Sequence, residues 1–97
     1  MTRRLVTRRL QQHEQELRRA GVASLYLFGS TARDESQPGS DVDLFLDHDD
    51  PCFSLVELVR IKRRIEEIIG NETDVMTRDS LHPLIRERIE ASAVRVF

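Results

Sequence analysis

The chain has 97 residues, 39% of them hydrophobic and 33% charged, so we expect one small domain over residues 1–97 with a core of its own. Only 5% of the residues are aromatic and tryptophan is absent, which argues against a protein that stacks nucleic-acid bases, and we expect no direct nucleic-acid partner. The single cysteine, Cys52, excludes an internal disulfide, and no apolar run approaches the length of a membrane span, so we expect a cytoplasmic protein without membrane contact.

The first forty residues predict a helix, a strand and a loop. Helical spacing of apolar residues predicts a helix that runs to Ala20, ends before Gly21 and packs His13 on its apolar face. Residues 24–28 (SLYLF) are apolar and β-prone, and glycine and serine follow them, which indicates a buried strand that ends in a tight turn. Residues 31–40 are expected to form a loop, and the alternative is a loop that begins with a short helix.

The middle of the chain predicts an acidic strand and a long helix. Residues 41–47 alternate between acidic and apolar positions, which is typical of a strand with one acidic and one apolar face. Ser54 followed by Glu57 matches a capping box, and helical spacing continues to Gly70. We therefore predict a helix between these two ends.

The last part of the chain predicts a strand, a helix and a short end segment. Residues 73–77 (TDVMT) form a short strand in this prediction, with Asp74 and Met76 on one face. Pro83 suits the first turn of a helix that runs to about Ala91. Residues 94–97 form either a final strand or an extended tail. The order of elements favours an α/β domain, with helices packed on a small mixed β-sheet.

The net charge of −2 conceals an acidic segment. Residues 34–50 contain seven acidic residues and neither lysine nor arginine. Seven like charges repel each other, so their concentration needs a physical reason. A disordered acidic loop, a solvated surface and a bound cation all remain open at this point.

Three features predict a nucleotide site. Gly29 lets the backbone approach a ligand, and the amides and the Ser30 hydroxyl can bind phosphate, although such a pair is more often only a turn. Asp41 and Asp43 are two residues apart on a strand, with Cα atoms about 6.6 Å apart, so their side chains share a face and can share a cation. The alternative is a solvent-exposed edge strand with acidic side chains. Asp74 adds a third carboxylate on a strand that can pair with theirs. The combination predicts two Mg²⁺ ions at a phosphoryl-transfer site.

The sequence also resembles a known family. Residues 29–33 (GSTAR) and 40–44 (SDVDL), with Asp74 on a later strand, resemble the minimal nucleotidyltransferase domain of the polymerase-β superfamily, whose signature is G-S-x-A-R followed by S-D-x-D-[LIV]. The resemblance covers nearly the whole chain. It departs from the family pattern at Asp34, where relatives often have glycine, and at Thr31, which replaces a frequent arginine.

The resemblance implies a polymerase-β-like fold and a complete set of site residues. It implies ATP bound through the turn at Gly29 and metal ions bound by the carboxylates, with Asp74 drawing the proton from the attacking hydroxyl. The nucleotide-binding candidates are Gly29, Ser30, Arg33 and Ser40. The candidates for both catalysis and metal binding are Asp41, Asp43 and Asp74. For Arg33, neutralisation of Asp34 or Asp41 is as good an explanation as contact with phosphate.

Many small members of the family are antitoxins that are paired with a helical HEPN ribonuclease. The resemblance therefore implies transfer of AMP from ATP to a tyrosine of such a toxin, which silences it. A chain of this size has little room for an acceptor pocket, so another molecule is expected to present the acceptor. Two alternatives stay open: a binding module that neutralises its partner by contact alone, and adenylyl transfer to a small molecule with a separate acceptor-binding subunit.

Overall fold

Four strands and five helices make up the fold in the computed structural model, which describes residues 1–97. The strands are β1 (Ser24–Phe28), β2 (Val42–Asp47), β3 (Thr73–Thr77) and β4 (Val94–Arg95). The helices are α1 (Arg3–Gln12), α2 (Glu14–Arg19), α3 (Gly29–Ala32), α4 (Leu55–Ile69) and α5 (Pro83–Ser92), with a 3₁₀ turn over Arg78–Ser80. None of these helices has the length and apolar character needed to cross a membrane.

The strands form one sheet in the order β3-β2-β1-β4. The sheet is mixed, as the sequence predicts, whereas the order of its strands is not predicted. β1 runs antiparallel to both β2 and β4, whereas β2 and β3 are parallel. Parallel neighbours need a crossover connection, and α4 supplies it between β2 and β3. The chain end therefore adds a short strand to the edge of the sheet, and its backbone bonds continue as far as Phe97, whose carbonyl accepts from Leu25 N–H at 3.0 Å.

One face of the sheet packs against α1, α2 and α4 and forms the core. The apolar side chains of β1 and β2 alternate toward this face, and the helices contribute one buried stripe each. The fully buried aliphatic residues of this core are Val6, Leu10, Leu17, Val22, Leu25, Leu27, Val42, Leu44, Leu46, Ile61, Ile65 and Ile69. The acidic side chains of β2 consequently point to the opposite face.

The ends of α4 agree with the prediction from the sequence. Ser54 and Glu57 form the capping box, in which the Glu57 carboxylate accepts the Ser54 backbone N–H at 2.9 Å. Gly70 ends the helix in a left-handed conformation with φ of 70°. The length and direction of the crossover are thereby set by local sequence signals.

The predicted first helix is wrong in one respect, because it is broken at His13. The His13 backbone leaves the helical region at φ −112° and ψ 19°, and its N–H bonds Leu10 O at 3.0 Å. The His13 Nδ1 lies 3.0 Å from the carbonyl oxygen of Arg9, the group that the helical N–H would otherwise bind. The side chain therefore competes with the backbone for that carbonyl, and the ring is half-buried rather than packed in the core.

Candidate active site

The turn after β1 brings the backbone of Gly29 against the side chain of Asp43. β1 is antiparallel to β2, and Phe28 pairs with Asp43, so the chain leaves β1 beside the start of β2. Gly29 has φ of 72°, and a β-carbon built on it would overlap a carboxylate oxygen of Asp43 and lie 3.2 Å from its Cγ. The glycine is therefore required both by its backbone conformation and by the neighbouring carboxylate.

Asp43 and Asp74 are direct neighbours across parallel strands. Each is the second residue of its strand, and the register pairs them, so their side chains share the face opposite the core. Asp43 is half-buried and Asp74 is exposed. Asp41 lies just before β2 and is exposed, so the strand starts one residue later than predicted. No three His, Cys, Asp or Glu side chains converge in a metal-binding arrangement.

Burial and like charges act together on Asp43. Desolvation is the largest cause that raises the pKa of this carboxyl, and the charges of Asp74 and Asp41 raise it further. The guanidinium of Arg33 has the smaller, opposite effect. Asp74 and Asp41 are therefore close enough to act on Asp43, which is at the centre of the group.

This donor set fits a hard divalent cation. Mg²⁺ prefers carboxylate oxygens, and it commonly uses only one or two of them together with phosphate and water. Burial is the main cause that raises the pKa of Asp43, and the repulsion from Asp74 and Asp41 that adds to it is the kind of interaction that a bound cation reverses. Asp43 and Asp74, paired across neighbouring strands, are thus donors of the type that Mg²⁺ binds together with phosphate, whereas the three predicted carboxylates do not converge.

The remaining predicted residues lie around this group but differ in what they contact. Ser30 is half-buried in the single turn of α3. The exposed Arg33 donates from Nε to Glu35 Oε2 at 3.1 Å, so its nearest carboxylate is neither of those considered from the sequence. The Ser40 hydroxyl accepts the backbone N–H of Gln37 at 3.2 Å and is used within its own turn. Their roles toward a nucleotide stay predictions.

Asn71 is a positioning residue that the sequence analysis missed. Its Nδ2 donates to the carbonyl of Ser40 at 3.1 Å and to that of Glu72 at 2.9 Å. One side chain thus ties the segment that leads to Asp41 to the segment that leads to Asp74. The only signal in the sequence is an asparagine directly after Gly70, which alone indicates no more than a helix end.

Arg78 is a second residue that the sequence analysis missed. Its guanidinium donates to both Asp47 carboxylate oxygens, at 2.8 and 2.9 Å, and to Glu90 of α5 at 2.7 Å. It also lies over the rings of Tyr26 and Phe45, at 4.8 and 5.0 Å from their centroids. The hydrogen bonds to Asp47, and after them the bond to Glu90, raise the pKa of Arg78 above the ordinary arginine value, and the bond to Glu90 joins α5 to the sheet.

The two departures from the family pattern have structural explanations. Asp34 has φ of 57°, the left-handed conformation that favours glycine, and its carboxylate accepts the backbone N–H of Arg3 at 2.8 Å. Aspartate is less favourable than glycine in this backbone conformation, but it forms a hydrogen bond to α1 that a glycine cannot form. Thr31 is buried in α3, where a small side chain fits and the long cationic side chain of an arginine would be costly to bury.

Comparisons with known proteins identify the family of the chain. A family model described as a nucleotidyltransferase domain matches residues 10–96. A relative from Methanocaldococcus jannaschii, provisionally named a protein adenylyltransferase, is 43% identical over 77 residues, which is 79% of this chain and 82% of the relative. A solved structure provisionally described as a minimal nucleotidyltransferase has a TM-score of 0.83 at 26% identity, covering 97% of this chain and 95% of that one.

A solved toxin–antitoxin complex contains the same fold. It is described as a tri-AMPylated Shewanella oneidensis HEPN toxin in complex with an MNT antitoxin, and the match has a TM-score of 0.64 at 13% identity over 90% of this chain and 68% of that one. The chain belongs to the nucleotidyltransferase domain family. More narrowly, it is a nucleotidyltransferase with the minimal nucleotidyltransferase fold, which confirms the family and the fold expected from the sequence.

Proposed function

We propose that this nucleotidyltransferase transfers AMP from ATP to a tyrosine hydroxyl of a HEPN-type helical toxin and acts as the antitoxin of that toxin. The pairing of Asp43 with Asp74 beside the Gly29 turn is the observation that carries the proposal. The protein adenylyltransferase name of the relative and the AMPylated toxin in the complex with the same fold support it. A single domain over residues 1–97 and a cytoplasmic location stay predictions.

The proposed reaction assigns a role to each predicted residue. Backbone amides at Gly29 and the Ser30 hydroxyl bind the phosphates, and Arg33 and Ser40 add contacts to the nucleotide. The acceptor oxygen forms a bond to the α-phosphorus of ATP, and the bond to pyrophosphate breaks so that pyrophosphate leaves. Asp74 receives the proton of the acceptor hydroxyl.

Asp41, Asp43 and Asp74 are proposed to hold two Mg²⁺ ions. Bound Mg²⁺ neutralises phosphate charge and favours departure of pyrophosphate. The contribution of the protein is to fix the carboxylates on neighbouring strands of a rigid sheet. Asp43, which is half-buried and pressed against Gly29, has the least freedom of the three.

A protein acceptor agrees with the surface of α4. Leu55, Val56 and Val59 lie near the start of this helix with 73%, 57% and 40% of their surface exposed. Large aliphatic side chains that cluster on a surface favour contact with another protein. We propose that a partner protein, rather than a pocket of this chain, brings the acceptor hydroxyl to Asp74.

Co-expression with a candidate HEPN toxin, followed by intact mass spectrometry of the toxin, tests the proposal. We expect the mass of one or more AMP groups on the toxin, dependent on ATP, Mg²⁺ and Asp74. A tyrosine-to-phenylalanine variant of the modified toxin residue should lose that mass. Asp79→Asn is the matched control, because Asp79 is exposed in the 3₁₀ turn and lies outside the predicted carboxylate group.

The alternatives predict other outcomes. A toxin that is neutralised but unmodified would favour a binding module that acts by contact alone. The charges of Asp74 and Asp41 next to Asp43 argue against that alternative, because contact alone has no need of clustered carboxylates. If the toxin is neither bound nor modified and a small molecule gains AMP instead, adenylyl transfer with a separate acceptor-binding subunit replaces the proposal.

A further inference from the structure

A cleft of about 480 Å³ opens beside Gly29 and separates it from α5. Its volume is in the range of small-ligand sites, about 300–1,000 Å³. One side is formed by Phe28, Gly29 and Arg33, and the other by Ile85, Arg88 and Ile89. The cleft therefore begins at the turn that we assign to the phosphates.

Register places this cleft next to the carboxylates. Phe28 pairs with Asp43 across the antiparallel strands, so its side chain and that of Asp43 are neighbours on one face of the sheet. The Phe28 ring packs on Phe45 with centroids 5.7 Å apart, which fixes its position. A molecule whose phosphates lie at Gly29 and Asp43 can therefore extend its remaining part along Phe28 toward α5.

The cleft combines an apolar lining with cations. Phe28, Ile85 and Ile89 supply flat or branched apolar surface on both sides. The Arg88 side chain has no carboxylate within ion-pair distance, and Arg33 is paired only with the exposed Glu35. An apolar slot with available guanidinium groups suits a planar base attached to an anionic chain.

We propose that this cleft binds the nucleobase and ribose of the nucleotide, with Ile85 and Ile89 of α5 as specificity-determining residues. The inference rests on the proposed function, because it assumes phosphates at Gly29. Continuity with that turn favours a nucleotide over the acceptor side chain, because the ribose and base are joined covalently to the phosphates.

Binding of ATP and of inorganic tripolyphosphate, each measured by calorimetry with Mg²⁺, separates the base subsite from the phosphate turn. Ile89→Ala removes apolar surface from the cleft, and Ala91→Trp fills it. We expect each variant to bind ATP about tenfold more weakly than the wild type, since that is the scale of a lost apolar contact in a pocket. Binding of tripolyphosphate should not change, because it has no base.

Leu84→Ala is the matched control. Leu84 is on the same helix, is 83% exposed and does not line the cleft, so this variant should bind ATP as the wild type does. None of the ten residues of α5 is buried, so the substitutions do not remove a core contact.

Three results would overturn the inference. In the first, Ile89→Ala and Ala91→Trp both bind ATP and transfer AMP as the wild type does. In the second, they bind ATP normally but lose transfer, which would assign the cleft to the acceptor. In the third, the wild-type protein binds tripolyphosphate as tightly as ATP. That result would mean that the turn at Gly29 binds phosphates but that the base adds nothing to the affinity. A wild type that binds neither molecule would overturn the proposed function together with the inference.

Discussion

Gly29 and Asp43 lie so close together that the glycine has no room for a side chain. The carboxylate of Asp43 occupies the space of the missing β-carbon, and Gly29 has φ of 72° at the same point. The phosphate turn and the central carboxylate of the site are thus one packed unit. A change at either residue is expected to disturb the other.

Gly29→Ala should lower both stability and ATP affinity. A non-glycine residue in the left-handed region costs about 1–2 kcal/mol, and the overlap with Asp43 adds to that cost. Chemical unfolding measures the first effect, and calorimetry with ATP and Mg²⁺ measures the second.

Gly70→Ala is the control for the backbone effect. Gly70 has φ of 70°, almost the same as Gly29, but no atom lies within 4 Å of an added β-carbon. It should lose about 1–2 kcal/mol and keep ATP binding. In an Asp43→Ala background, the cost of Gly29→Ala should fall toward that of Gly70→Ala. An unchanged cost in that background would contradict the contact.

Asp43→Asn should stabilise the metal-free protein at neutral pH. Burial, Asp74 and Asp41 raise the folded-state pKa of Asp43 above its ordinary value of 3.8. The stability that accompanies its protonated form is fully present below the unfolded pKa and is lost as pH rises through the raised folded pKa. The stability difference between variant and wild type should therefore grow as pH increases above 3.8.

Urea unfolding in a metal chelator, repeated at several pH values, measures this difference. Adding Mg²⁺ should then stabilise the wild type more than the variant, since only the wild type keeps all its ligands. If Asp43→Asn is the less stable protein at neutral pH without metal, the carboxylate has a structural role instead.

Asp74→Asn should slow transfer far more than it weakens ATP binding. A positioned base contributes about 10²–10⁴-fold to a rate, whereas loss of one exposed ligand affects binding less. Single-turnover transfer rates and ATP affinities, measured on the same protein, separate the two effects. Asp49→Asn, in the exposed loop after β2, is the control. Equal losses in rate and affinity would make Asp74 a ligand only.

Arg78→Ala should destabilise the fold by about 1–3 kcal/mol, because it leaves Asp47 and Glu90 without their shared partner. Arg78→Lys should recover only part of this loss, since one ammonium cannot form the paired bonds to Asp47. Thermal unfolding measures both variants. Arg64→Ala, which removes exposed pairs with Glu16 and Glu67, should cost less. Similar losses for Arg78→Ala and Arg64→Ala would contradict the assigned role.

Local signals explain why much of the fold could be predicted. The capping box at Ser54, the glycine at 70 and the alternation over residues 41–47 each act within a few residues of the chain. The shared face of Asp43 and Asp74 follows from the same alternation once two strands are placed side by side. The nucleotidyltransferase signature adds to this, since its residues are close in sequence.

The missed residues depend on contacts between distant segments. Arg78 contacts Asp47 of β2 and Glu90 of α5. No pattern in the chain shows which strands are neighbours in the sheet or where α5 packs on them. Asn71 bonds Ser40, which is 31 residues away. The break at His13 arises from one side chain that competes for one carbonyl, which apolar spacing does not register.

The absence of buried residues in α5 has a consequence for local opening. The helix is attached through Glu90 to Arg78 and through Arg86 to the carbonyls of Asp79 and Leu81. Segments with few buried apolar contacts unfold on their own at low free-energy cost, so amide hydrogens of α5 should exchange with solvent faster than those of α4. One wall of the cleft beside Gly29 can therefore detach while the sheet that bears the carboxylates stays folded.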